Sequence, residues 1–374
     1  MLKFSLMPML GKGGWIAFAI AALVFFSGCS IPSVSAESRI FLPLSLEYLG
    51  AQTLPKSDGA GISLGQITDV VYDRGRDRIY ATLGDSPSPR VVSLKLALDP
   101  NLESPTPIQA ITPESVTSLD SPSNTRQTAA GLALGSQTLW VTRQSPLAAT
   151  PISAFNLPQG EFQQSLPLPK RLRPPEDADP EAVSDLSTGL KAVTLDPEGQ
   201  RLFTATEQPL LTSASEPPMA AEPYSHFFHY WIGEPEPYLL AEHLYPLGVP
   251  SSQMSRLVAL TTLDSGGHFL SLEQYRDAQG MDHAQIFQLA TGDATDVSAY
   301  DPVPFSAVVP IRKQPLIELS APEIPVSSEL GMTLGPYLPD GSRSLLISAH
   351  PSTTANITQL LLLRLFSQSS KSLI

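Results

Sequence analysis

The chain has 374 residues, a formal net charge of −13 and a single cysteine, so it repels nucleic-acid phosphates and can form no internal disulfide. Proline is frequent, at 37 residues, and no sustained helical period runs through the middle of the chain, which excludes a long-helix protein and suits a loop-rich β fold.

The N-terminus reads as a targeting segment. Lys3 and Lys12 form a positive region, and Trp15 to Phe26 (WIAFAIAALVFF) is an apolar run of 12 residues. That run is too short for an ordinary membrane span and suits a signal peptide. Phe26-Ser27-Gly28-Cys29 follows and resembles a bacterial lipobox, which implies lipidation of Cys29. By the same resemblance, Ser30 after the cysteine favours an outer-membrane anchor on the periplasmic side. A plain cleaved signal peptide is the alternative. The first 28 residues carry two lysines and no carboxylate, so their loss takes the charge from −13 to −15. The expected organisation is a lipoprotein signal peptide over 1–28, a tether over 29–39, one β domain over 40–366 and a polar tail over 367–374.

Ile40 to Leu49 (IFLPLSLEYL) predicts the first strand. Five stretches then share one pattern of apolar strand, turn rich in Gly, Asp or Ser, and second apolar strand. They are Val70 to Asp85, Gly131 to Gln144, Ala192 to Glu207, Leu257 to Glu273 and Met332 to His350. The second strands end at Asp85, Gln144, Glu207, Glu273 and Ala349-His350, at gaps of 59, 63, 66 and 77 residues. A long approximate period carried by hairpins predicts a β-propeller, in which equivalent strand ends face one central mouth. Asp99 to Gln127 and Leu157 to Ser187 are rich in proline and polar residues and read as long connections between blades. An aromatic pair (Phe227–Ile232 and Glu236–Pro246) and segments at Ala284–Leu289 and Val308–Leu319 supply further strands. With five hairpins and this extra material, about six blades are expected. Ile357 to Leu365 (ITQLLLLRL) reads as a closing strand that pairs with an early one.

Gly331-Met332-Thr333-Leu334-Gly335-Pro336, Leu338-Pro339-Asp340-Gly341, Ser344-Leu345-Leu346 and Ile357-Thr358-Gln359 resemble the closing motif of the phytase-like family, also called "esterase-like activity of phytase". The earlier hairpins are similar to its other motifs in the same order, from about Leu42 to Leu365. The resemblance implies a propeller, a metal such as Ca²⁺ held by carboxylates at the mouth, and hydrolysis of phosphoesters or esters. Of the acidic strand ends it implies, Asp85, Glu207 and Glu273 remain, and these are the candidate metal ligands. Six other acidic positions of the family fall on Ala130, Gln144, Lys191, Leu330, Ala349 and His350, and arginines expected in the aromatic strand fall on His226 and His229. A Ca²⁺ ion takes six to eight oxygens, and a phosphate calls for Arg forks or metal, so these replacements remove ligands of both kinds.

Other chemistry is absent from the sequence. There is no Gly-x-Ser-x-Gly elbow, Walker loop, dinucleotide fingerprint or cysteine-based metal site. His226 and His229 lie three apart on a strand and so point to opposite faces. Trp140 and Trp231 are expected to pack between blades. No catalytic residue is assigned. Two readings remain open: a lipid-anchored, metal-dependent hydrolase, or a degenerate propeller that binds a phosphorylated or ester ligand, or a protein partner, without turnover.

Overall fold

The computed structural model describes residues 40–54, 64, 66–84, 89–102, 104, 106–120, 128–144, 152–173, 189–210, 224–248, 254–319, 329–350 and 357–367. Among the described residues, twenty strands, β1 to β20 in chain order, form five four-stranded antiparallel sheets. Blade 1 holds β2 (Ile67–Asp73), β3 (Arg78–Leu83), β4 (Arg90–Leu98) and β5 (Ile108–Ser118). Blade 2 holds β6 (Thr128–Leu134), β7 (Thr138–Gln144), β8 (Ser153–Asn156) and β9 (Phe162–Ser165). Blade 3 runs through β10 (Leu190–Leu195), β11 (Arg201–Thr206), β12 (Tyr224–Trp231) and β13 (Tyr238–Pro246). Blade 4 runs through β14 (Met254–Thr262), β15 (His268–Arg276), β16 (Asp282–Ala290) and β17 (Arg312–Leu319). Blade 5 combines β18 (Leu330–Tyr337), β19 (Arg343–Ala349) and β20 (Gln359–Ser367) with β1 (Leu44–Thr53) from the start of the domain.

The fold is thus a single all-β propeller of five blades, not about six. The five hairpins of the sequence are the five inner strand pairs. The aromatic pair is β12 and β13, the outer half of blade 3, and the strands near 284–319 are β16 and β17 of blade 4. The first strand completes the last blade instead of opening a new one. It pairs along β20 from Leu44 opposite Ser367 to Thr53 opposite Gln359, which closes the ring. The stretch from Asp99 to Gln127, expected to be a connection, contains β5. Its Pro113 sits on the outermost strand at a register shift opposite Leu94, where a residue without an N–H costs no ladder bond.

Four of the five inner hairpin turns are built by an aspartate. Asp73 Oδ1 accepts from the N–H groups of Gly75 and Arg76 at 2.8 and 3.1 Å. Asp196 does the same for Gln200 and Arg201, and Asp264 for Gly266 and His268. In blade 5, Asp340 accepts from Ser342. An aspartate that satisfies turn N–H groups favours a reversal over continued strand.

Five buried clusters fill the five blade interfaces. Leu139, Val141 and Phe155 pack against Val91 between blades 1 and 2, and Trp140 lies with Phe228 and Tyr230 between blades 2 and 3. Trp231, expected in such a layer, is instead only half-buried beside Gly233 at the β12–β13 turn. The leucine run of β20 shows why a blade strand reads as continuously apolar. Leu361, Leu363 and Leu365 face blade 4, while Leu360 and Leu362 face blade 1. Alternate side chains leave a strand on opposite faces, and here both faces are core. Among the described residues, no helix is long and apolar enough to cross a membrane.

Candidate functional site at the propeller mouth

The innermost strands β2, β6, β10, β14 and β18 surround the axis. Four of them carry a register irregularity, at the start of β2, β6 and β10 between Ile67 and Asp69, Ala129 and Gly131, and Leu190 and Val193, and in the middle of β14 between Leu257 and Ala259. Such bulges re-aim side chains. They place Thr68, Asp69 and Lys191 close to the neighbouring inner strands.

Asp69 joins three blades. Its carboxylate accepts from the backbone N–H of Val70 on its own strand and of Leu132 on β6, both at 2.8 Å, and it packs against Gly331 on β18. The approach needs glycine opposite: a Cβ on Gly331 would lie 2.4 Å from Asp69 Oδ1 and 2.6 Å from its Cα. Burial pushes the Asp69 carboxyl up to about 7, against the pull of those N–H groups and of the Lys191 charge. Thr68 Oγ1 donates to the Ala129 carbonyl at 2.9 Å and adds a second link to blade 2.

Lys191 is almost wholly buried, with its side chain 2 % exposed, and its Nζ donates to Glu329 Oε2 at 2.6 Å. Its carbonyl accepts from Thr142 Oγ1 at 3.3 Å and lies where a Cβ on Gly131 would be only 1.8 Å away, so β10 and β6 touch through backbone. Glu207 follows β11. Its Oε1 lies 3.2 Å from Arg256 Nη1, and Arg256 also donates to Gln274 at 2.7 Å. Burial raises the Glu207 carboxyl, Lys191 and Arg256 pull it down, and the charge of Glu329 raises it again. Asp69, Lys191, Glu207, Arg256 and Glu329 therefore form one electrostatic group drawn from blades 1, 3, 4 and the entry to blade 5.

Glu273 has a separate set of partners. Its side chain is fully buried and accepts from Tyr245 Oη, from Gly248 N at 3.0 Å and from Lys313 Nζ at 2.5 Å. The Lys313 ammonium also donates to the Gly248 carbonyl at 2.9 Å and sits 4.3 Å from the centre of the Phe287 ring. Burial raises the Glu273 carboxyl and Lys313 is the largest opposing influence.

Of the three sequence candidates the structure describes Glu207 and Glu273, and each has its own partners. Asp85 lies outside the described residues, and so does Cys29. Glu207 is paired with Arg256, and Glu273 with Lys313. Among the described residues, no group of three or more His, Cys, Asp or Glu side chains is arranged to hold a metal ion. The residues present do not fit a Ca²⁺ ion: each candidate carboxylate whose position is described already has a cationic partner from the chain.

Three of the histidines make contacts within the fold. His226 Nδ1 contacts Glu242 Oε1 at 2.5 Å, and Arg171, from the segment after blade 2, closes on the same oxygen at 2.8 Å. His229 stacks on Phe203 at 4.5 Å, and burial pushes its imidazole down to about 4. His350 contacts the carbonyls of Ile67 and Ile357 at 2.7 and 3.0 Å and ties blade 5 to blade 1.

Asp69, Glu329 and Arg256 carried no weight in the sequence. Asp69 shows there only as a polar residue inside an apolar strand. The usable signal was the pair of glycines, Gly131 and Gly331, at matching places on the two neighbouring inner strands.

The sequence matches the family described as "Phytase-like: Esterase-like activity of phytase" over residues 62–349. No curated protein matches significantly. Among solved structures, the tail fibre of Staphylococcus aureus phage P68 is similar with a TM-score of 0.45 and 10 % identity, over 88 % of this chain. The chain spans about half of that fibre, 54 %. An endo-arabinase from Bacteroides thetaiotaomicron gives a TM-score of 0.39 and 14 % identity, over 80 % of this chain and 94 % of its own. Glutaminyl cyclase from Myxococcus xanthus gives 0.39 and 11 %, over 87 % and 97 %. At these values the likenesses say nothing about function.

Proposed function

The chain belongs to the phytase-like family, and from that premise we propose that it is a binding propeller of the family, one whose mouth holds a ligand or protein partner without turnover. The observation that carries this reading is the pairing of its mouth carboxylates with fixed cations. Lys191 and Arg256 stand against Glu329 and Glu207 where a hydrolase would need free ligands for metal or substrate. A phosphate centre draws its strength from cations left open to the substrate; here the two mouth cations are already neutralised by carboxylates. Hydrolysis is the second reading, favoured by the family description alone.

Glu207→Gln separates the two. The binding reading expects the variant to fold and to match the wild type in an assay of aryl phosphate, aryl ester and phytate, with neither above the uncatalysed rate. A wild-type rate cut 100-fold or more by the substitution, as for loss of a metal ligand or general base at roughly 10²–10⁴, would establish the hydrolase.

The lipobox resemblance supports a further part of the proposal: the propeller is held by lipid on Cys29, outside the cytoplasm, with the outer membrane favoured. Cys29→Ser protein should move from the membrane fraction to the soluble periplasmic fraction. If it stays with the membrane, the anchor is elsewhere.

A further inference from the structure

We infer that the cleft between blades 1 and 2 is a binding site for a neutral sugar, held by hydroxyl groups of blade 1 that the fold leaves unused. The site is separate from the mouth and from any ligand there: none of its lining residues belongs to the groups around Asp69, Glu207 and Glu273.

The cleft has a volume of about 490 Å³, within the roughly 300–1,000 Å³ of small-molecule sites. Its floor is one cross-strand row. Tyr80 on β3 lies opposite Ser93 on β4, and Ser93 lies opposite Ser115 on β5. The row faces blade 2, as Val91 does, while Val92 and Leu94 face the blade 5 side. Val91 belongs to the apolar core between blades 1 and 2, so three hydroxyls in this row interrupt that core. Ser93 is 6 % exposed, yet among the described residues Tyr80 Oη, Ser93 Oγ and Ser115 Oγ have no hydrogen-bond partner. A buried hydroxyl without a partner is costly, and a ligand that supplies the partner removes the cost.

Two contacts bridge the blades and frame the cleft. Arg76 Nη1 donates to the Ser136 carbonyl, and Thr117 Oγ1 donates to the Pro158 carbonyl, each at 3.2 Å. Beside the second bridge, the Asp120 N–H donates to the Gly160 carbonyl at 2.9 Å. A Cβ on Gly160 would lie 2.2 Å from the Ser118 carbonyl oxygen, so this close approach requires glycine.

The cations of the cleft are not left open to an anion. Arg76 pairs with Asp73 at 2.6 Å. Arg78 grips Glu114, the extra residue of a bulge in β5, with two N–H groups. The charges around the cleft therefore cancel, and a phosphate would meet arginines already paired. What the cleft offers instead is hydroxyls that both donate and accept, beside the apolar surfaces of the Tyr80 ring, Leu157 and Pro158. A sugar has the matching chemistry, with hydroxyls around its rim and C–H groups on its faces.

The test is saturation-transfer NMR of the purified wild type, Ser93→Ala and Ser93→Leu. The probes are glucose, galactose, mannose, xylose and N-acetylglucosamine at millimolar concentration, with inorganic phosphate as competitor. At least one sugar is expected to receive saturation from the wild type. Ser93→Ala is expected to weaken that sugar about fivefold in Kd, the scale of one hydrogen bond. Ser93→Leu, which fills the floor, is expected to abolish it. Ser93→Ala removes only the hydroxyl, so it keeps the test decisive if leucine disturbs folding. No transfer from the folded wild type to any of the five sugars overturns the inference and leaves the cleft to water. Transfer that neither substitution changes overturns it too, because the sugar then binds elsewhere. Displacement of the sugar by inorganic phosphate also overturns it, in favour of an anion site. The hydrolysis assay does not enter this result, so failure of either idea is visible separately.

Discussion

Lys313→Met should destabilise the protein by about 3–5 kcal/mol, the cost of breaking a buried ion pair from one side. Glu273 has no exposure to solvent, and among the described residues Lys313 is the one cation hydrogen-bonded to it. With methionine at 313, the carboxylate keeps only the Tyr245 hydroxyl and the Gly248 N–H. Those two donors do not balance a buried negative charge. The deficit has a pH sign. Burial already raises the Glu273 carboxyl, and loss of Lys313 raises it further, so the folded variant holds a proton that the unfolded chain releases. Stability of the variant therefore falls as pH rises above the usual glutamate range, and the deficit is larger at pH 8 than at pH 5. Adding Glu273→Gln to Lys313→Met removes the stranded charge and should recover about 2 kcal/mol, a coupling typical of contacting residues. Urea denaturation of the wild type, Lys313→Met, Glu273→Gln and the double variant measures this. A Lys313→Met deficit under about 1 kcal/mol, equal at both pH values, would show that Glu273 finds its balance elsewhere.

Asp69→Ala should cost about 2–6 kcal/mol near pH 5. Two N–H groups, on Val70 and Leu132, lose a buried acceptor, at about 1–3 kcal/mol for each donor left unsatisfied. Here too the pH dependence discriminates. The native Asp69 carboxyl is pushed up to about 7, whereas the unfolded chain titrates near its ordinary value of 3.8. The native state thus binds the extra proton between those values, and wild-type stability declines from about pH 4 to pH 7. The full shift corresponds to about 4 kcal/mol, treated as an upper bound. Asp69→Ala has no such group, so its stability is flatter across this window and the gap to wild type narrows toward pH 8. Equal deficits at pH 5 and pH 8 would show that Asp69 is ionised throughout and that Lys191 holds its charge.

The hairpins were legible because their signals are local. Asp73, Asp196, Asp264 and Asp340 mark the turns, and apolar runs on either side mark the strands. The blade count was not legible, because an outer strand and the first strand of a new blade look alike in sequence. Only the pairing of β12 with β11, and of β1 with β20, assigns them. At the mouth, Glu207 was found through the family pattern. Its partner Arg256 was not, since nothing along the chain links positions 49 residues apart. Lys191 stood out only as a reversed charge at a family glutamate. Its meaning came from Glu329, which reaches it from the far end of the chain across the closed ring.

The central claim is that chain-borne cations have replaced the metal and substrate contacts of a hydrolase at this mouth. It is tested most directly by incubating the wild-type protein, from Ser30 to Ile374, with phytate and an aryl phosphate, in Ca²⁺ and in chelator. The account predicts the uncatalysed rate in both conditions from a folded protein. Hydrolysis that appears with Ca²⁺ and vanishes with chelator would contradict it.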